Sequence, residues 1–238
     1  MLKIFPSQEE ILRKAAEIFS QSAKDAIKEK GYFSVSLTGG SSPKGLYQLL
    51  ATDEYKKQID WSKILVFWGD ERWVPLDHEL SNTKMAYEIL LNHVPIPQEN
   101  IFPMYKEGVK PEVYAAAYET QLKEKLGDDA TIDLMLLGMG DDGHTASLFP
   151  QTEVLNEEKA WVSAYYLNSQ EMYRITLTAP FINRAKNIVV ITFGDAKAPA
   201  LKQVLKGEYD PATYPSQLLD PVNGELLYLV DQKAAKFL

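Results

Sequence analysis

Residues 132–150 read IDLMLLGMGDDGHTASLFP. The apolar stretch has the length and composition of a buried strand, and it runs without a spacer into Gly138, Gly140, Asp141, Asp142, Gly143 and His144. Ligands of open α/β sheets sit beyond the carboxyl ends of strands. Two carboxylates and an imidazole at such an end therefore raise the question of chemistry before any other part of the chain does.

Working outward, the same strand-then-glycine pattern recurs. YFSVSL leads into TGGSSPKG, with a helix expected from about Pro43, and KILVFW (63–68) leads into GDERWVP. Ser7 is placed to cap a helix whose Ile11, Leu12, Ala15, Ile18 and Phe19 recur at helical spacing, and Gly31 ends it. Ser81 caps a second helical pattern, SNTKMAYEILL, and PEVYAAAYETQLKEKL reads as a third from Pro111. Later strands are expected at AWVSAYY, YRITLTA, NIVVITF and LLYLV, and helices at DAKAPALKQVLKG and DQKAAKF. Apolar strands alternating with amphipathic helices indicate an α/β protein with a mainly parallel sheet. The closely spaced strands at 161–178 break that rhythm and read as a small antiparallel addition. No repeat or linker divides the chain, so residues 1–238 are read as one domain.

Composition narrows the function. The chain has 238 residues, 45% of them hydrophobic, and a formal net charge of -8. This argues against a nucleic-acid binder working through a broad basic surface. An anionic ligand would need a local cationic pocket, since the global field repels it. With no cysteine, disulfides, thiolate metal sites and cysteine nucleophiles are excluded. No apolar run approaches the roughly 18 residues of a membrane helix, and the N-terminal stretch has no signal-peptide core. A cytoplasmic protein with no membrane partner is expected.

The motifs divide into those that fail and those that hold. GMGDDG matches G-x-G-x-x-G, but its two aspartates stand where a pyrophosphate would approach the backbone, and Pro150 limits any following helix. A nicotinamide cofactor is rejected. TGGSSPKG lacks the Walker lysine pattern, and GGSSP lacks the last glycine of a nucleophile elbow. The loop fits either an ordinary turn or a single phosphate, held by Ser41, Ser42 and the free N–H groups of the next helix. Asp141, Asp142 and His144 are too close in sequence to ligate one metal together, and no second histidine is near.

Of the three histidines, His93 falls at a helix end, where a structural role is expected, and His78 lies in a polar, solvated loop. His144 follows Asp142 at a strand's carboxyl end and reads as functional. Arg72 is placed either to pair with Asp70 or Glu71 or to serve the site. Arg174, inside a strand, requires an anionic partner if buried. Lys197 is either solvated or reaches the same edge, and Lys44 is read as exposed.

Together SLTGGSSPKGLYQLL, FWGDERWVPLDHELSN, LMLLGMGDDGHTASLFP, YRITLT and ITFGDAKAPAL resemble the 6-phosphogluconolactonase family, in the family's order and over about residues 35–201. The resemblance implies a Rossmann-like three-layer αβα fold and hydrolysis of a phosphosugar lactone, 6-phosphogluconolactone, without metal or organic cofactor. On the matching positions it implies His144 as the base that activates water and Asp142 as its partner. Asp141 is left to cap the turn. Arg72 would stabilise the oxyanion or hold Asp142 in place. Gly40, Ser41, Ser42, Arg174 and Lys197 would bind phosphate, with Gly39 and Asp70 completing the substrate set. The related glucosamine-6-phosphate deaminases resemble the chain at Asp70-Glu71 and Asp142-Gly143-His144. They carry a tyrosine where this chain has Arg72 and a glutamate where it has Phe149. A non-catalytic sugar-phosphate sensor on the same fold is the remaining alternative. For assembly, the sequence is compatible with a monomer or a weak dimer.

Overall fold

The computed structural model describes residues 1–127 and 130–238. In chain order its elements are β1 (Leu2–Phe5), α1 (Gln8–Lys30), β2 (Phe33–Leu37), α2 (Lys44–Leu50), α3 (Asp53–Lys56), β3 (Ile64–Trp68), β4 (Asp70–Arg72), α4 (Asn82–Ile89), α5 (Pro111–Leu126) and β5 (Leu134–Gly138). There follow β6 (Val162–Leu167), β7 (Met172–Leu177), α6 (Ala179–Ile182), β8 (Asn187–Thr192), α7 (Ala198–Lys206) and β9 (Glu225–Asp231).

Six strands form one sheet in the order β1-β9-β8-β5-β2-β3, and every pairing in it is parallel. The central strands are covered on both faces: all of β2, its Ser34 and Ser36 included, and β5 up to Leu137 is buried. α1 packs across β1, β2, β8 and β9. Ser7 accepts from the Glu10 N–H at 3.3 Å to start this helix, and Gly31, at φ 86°, ends it. Its inward stripe includes Ile11, Ala15, Phe19 and Ala23, each at most 1% exposed; full burial of Ile11 or Phe19 contributes about 1.5–3 kcal/mol.

From β2 the chain moves outward to β3 on one side, whereas β5, β8 and β9 fill the other. The order therefore reverses between β2 and β5, and the loops after these strands open on either side of a crevice. The antiparallel addition is a separate three-stranded sheet, β4-β7-β6. α5 lies against β6 and β7 and reaches the large sheet through Tyr118, whose hydroxyl accepts from the Trp68 N–H at 3.4 Å.

Three expectations are corrected. YFSVSL is not the first strand: β1 precedes α1 and pairs with β9, with three of its four side chains exposed, so no apolar pattern marks it. Asp70–Arg72 is not loop but β4, held by β7. DQKAAKF forms turns rather than a helix; the Asp231 carboxylate accepts from the N–H groups of Gly194 and Ala234, fixing the backbone in a turn instead. Among the described residues no helix is long and apolar enough to cross a membrane.

Candidate active site

The loops after β2, β5 and β8, together with β4, β7 and the start of α4, enclose a cavity of about 180 Å³ at the crevice. Gly39, Gly40, Ser41, Ser42, Asp70, Arg72, His144, Arg174 and Lys197 all line it. These are the residues singled out in the sequence, apart from Asp142, which stands behind His144 and lines a neighbouring cleft.

Backbone geometry builds the His144 corner. Gly140 donates its N–H to the His144 carbonyl at 2.8 Å, folding the turn back over itself. Asp142 Oδ1 then meets both the His144 N–H at 3.1 Å and the ring Nδ1 at 2.5 Å. A Cβ on Gly140 would fall on His144 Nδ1 and Asp142 Oδ1, so the glycine that mimicked a dinucleotide motif is required by the close approach of this pair. Burial works against the charged form of Asp142, but the hydrogen bonds and charge of His144 outweigh it and hold the carboxyl below its usual range. Phe149 stacks on the imidazole, with ring centroids 4.1 Å apart and planes at 23°. From outside, Ser216 donates its N–H to the Gly143 carbonyl at 2.9 Å, and Gln151 donates to Ala212 O at 2.9 Å.

The opposite wall comes from the small sheet. Arg72 and Arg174 are direct cross-strand partners of β4 and β7. Like charges placed opposite one another destabilise a sheet, so this pairing is costly unless anions answer it. Arg174, 3% exposed, lies 3.6 Å from Asp70 Oδ2 and donates Nε–H to Ser147 Oγ at 2.9 Å. Burial, aided by the charge of Arg72 and opposed by Asp70, pulls the Arg174 pKa down. Ser147 in turn donates to Asp70 Oδ2 at 2.6 Å.

Arg72 does not pair with Asp70, Glu71 or Asp142. It donates to the Leu80 carbonyl at 3.2 Å and to Asn82 Oδ1, while Asn82 Nδ2 donates to the Asp70 carbonyl at 3.0 Å. Glu71 points the other way and caps α4, accepting from the N–H groups of Asn82 and Thr83 at 2.7 and 2.8 Å, from the Arg72 N–H and from the Ser81 hydroxyl. Its burial pushes its pKa up against the pull of those donors. A Cβ on Gly39 would strike the Asn82 amide, which explains a glycine at that position.

The remaining assignments settle individually. Lys197 lines the cavity and lies 2.6 Å from Asp141 Oδ1, so Asp141 pairs with a cation rather than capping the turn. Lys44 is exposed. His93 Nε2 bonds the Glu88 carbonyl at the end of α4, and His78 Nδ1 accepts from the Leu80 N–H. Both serve local structure. Asn82, Ser147 and Thr38, the last pinned at its N–H and carbonyl by the Tyr47 hydroxyl, carry no role in the sequence reading. Asn82 and Ser147 do lie inside the motifs ELSN and HTASLFP that mark the site. Among the described residues no group of three or more His, Asp or Glu side chains converges as metal ligands.

The chain is 40% identical over 237 residues to a 6-phosphogluconolactonase of Nostoc sp., covering 98% of this chain and 96% of the relative. It is 42% identical over 215 residues to a 6-phosphogluconolactonase of Synechocystis sp., covering 89% and 87%. The three-dimensional structure of 6-phosphogluconolactonase from Trypanosoma brucei superposes with a TM-score of 0.87 at 26% identity, over 100% of this chain and 98% of that one. Residues 6–228 match the family model described as glucosamine-6-phosphate isomerases/6-phosphogluconolactonase, and the chain belongs to that family.

Proposed function

We propose that this protein hydrolyses 6-phosphogluconolactone to 6-phosphogluconate, the lactone-opening step of the oxidative pentose phosphate pathway. The observation that carries the reading is the Asp142–His144 pair at the rim of a cavity that also contains Arg72, Arg174 and Lys197. A cytoplasmic setting and a small-molecule phosphosugar partner accompany it.

In this mechanism the ring Nδ1 of His144 is committed to Asp142, which orients the imidazole and stabilises its cationic form. Nε2 takes a proton from water as the water oxygen attacks the lactone carbonyl carbon. The carbonyl oxygen gains negative charge, which Arg72 stabilises. Arg72 is anchored by Leu80 and Asn82 and has no bond to Asp142, which favours the oxyanion role over that of holding Asp142. Collapse of the tetrahedral intermediate breaks the bond to the ring oxygen, which receives the proton from His144. The Gly39–Ser42 loop, Arg174 and Lys197 hold the remote phosphate, so binding energy positions the carbonyl against the base.

The family also contains deaminases, and Phe149 argues against that branch. It occupies the position of their glutamate, is 6% exposed and stacks on His144. No carboxylate is available there for proton transfer. A non-catalytic sensor would leave the Asp142–His144 pair without a task.

The test is a side-by-side assay of acid release from 6-phosphogluconolactone and ammonia release from glucosamine 6-phosphate. Lactone hydrolysis alone is expected. Ammonia release alone would overturn the reading, and activity on neither substrate would leave a sensor. His144→Ala is expected to lower hydrolysis by about 10²–10⁴-fold while 6-phosphogluconate still binds; near-normal turnover would remove His144 as the base.

A further inference from the structure

The two adjacent aspartates of the GDDGH turn face different partners. Asp142 holds the imidazole, whereas Asp141, 63% exposed, lies 2.6 Å from the ammonium of Lys197. Lys197 comes from the turn after β8, is 22% exposed and lines the cavity, while Asp141 lines the cleft outside it with Asp142, Pro199 and Tyr214. Of the three cations at the cavity, Arg174 is held by Asp70 and Ser147 deep in the wall, and Arg72 by neutral carbonyl and amide oxygens. Lys197 alone is paired with a carboxylate on the solvent side.

We propose that Asp141 competes with the substrate's phosphate for Lys197 and so sets how strongly phosphorylated lactones are selected. The proposal rests on the reading that Lys197 belongs to the phosphate set. A lysine ammonium is a compact charge with three donors on a flexible stem, so it can turn from one anion to another at little cost. An ion pair this open to water is weak, whereas a phosphate carries about -1.5 to -2 charges at neutral pH and three acceptor oxygens. The dianion therefore wins Lys197, but its net affinity is reduced by the contact it must replace and by repulsion from the displaced carboxylate. Asp141→Asn keeps the shape and removes both penalties. Exposed pairs of this kind change an equilibrium by about two- to five-fold, and relief of the repulsion acts in the same direction.

The experiment is calorimetric titration of 6-phosphogluconate into wild type, Lys197→Ala, Asp141→Asn and the double variant at low ionic strength, with KM measured for 6-phosphogluconolactone and for unphosphorylated gluconolactone. Lys197→Ala is expected to weaken binding about tenfold or more, as loss of a charge-assisted bond does. Unchanged binding there would overturn the phosphate assignment, and the proposal with it. With that arm positive, Asp141→Asn is expected to tighten binding and lower KM for the phosphorylated lactone by at least about two-fold. It should give no gain on gluconolactone and lose its effect in the Lys197→Ala background. Unchanged or weaker binding in Asp141→Asn would leave the phosphate assignment standing and overturn the competition, since Asp141 would then be orienting Lys197 for the ligand.

Discussion

His144 is held from three directions: Asp142 at the ring nitrogen, Phe149 on the ring face and Gly140 at its own carbonyl. Only Gly140 makes all three compatible, since its missing side chain leaves the space that Nδ1 and Oδ1 occupy. Gly140→Ala should therefore displace the imidazole without touching the sheet. A reacting group moved by about 1 Å loses on the order of 10²-fold in rate. We expect a kcat loss of that size, with 6-phosphogluconate binding and far-ultraviolet circular dichroism retained. A variant that turns over normally would show that the pair has room to spare.

At the scale of elements, the short strand β4 does two jobs on its two faces. Asp70 and Arg72 point into the cavity, and Glu71 between them points back to fasten the start of α4. Replacing Glu71 by Gln turns an amide N–H₂ toward backbone donors and leaves at least one of them unpaired. Each buried orphan costs about 1–3 kcal/mol. We expect Glu71→Gln to be destabilised by about that amount in urea unfolding, and to raise KM as Asn82 and Arg72 lose their support; a wild-type unfolding midpoint would refute the capping role. The limits of sequence reading follow the same lines. β3 and β5 are legible because burial leaves unbroken apolar runs, β2 because its Phe, Val and Leu are spaced only by small serines, and α1 and α4 because their caps are written in Ser7 and Ser81. β4 is not, because three consecutive charged residues look like loop until β7 supplies the partner. For the site, the demand of Arg174 for an anion was readable, but its answer in Asp70 depends on cross-strand register. The Arg72–Asn82 contact joins residues separated by an irregular loop that no periodicity describes.

Over the whole molecule, a net charge of -8 surrounds a cavity lined by three cations. The local field must overcome the global one, so ligand affinity should fall with added salt as the pocket's attraction is screened over about 8–10 Å. Binding to the folded state alone raises stability by about 2.7 kcal/mol at 100 times Kd. Thermal melting with saturating 6-phosphogluconate should show an upward shift that shrinks between about 0.05 and 0.5 M salt. A shift indifferent to salt would mean that the phosphate is held by neutral donors rather than by Arg174 and Lys197.

The pairing of β1 with β9 has a consequence in time. Leu2–Phe5 finds its ladder on Tyr228–Asp231, far along the chain from it. β9 also lies between β8 and β1, so of the strands described the last in chain order joins the first to all the others. Contacts so distant along the chain close slowly. The loops that line the cavity follow β2, β5 and β8, strands that can assemble before this closure, whereas β1 must wait for it with its backbone unpaired.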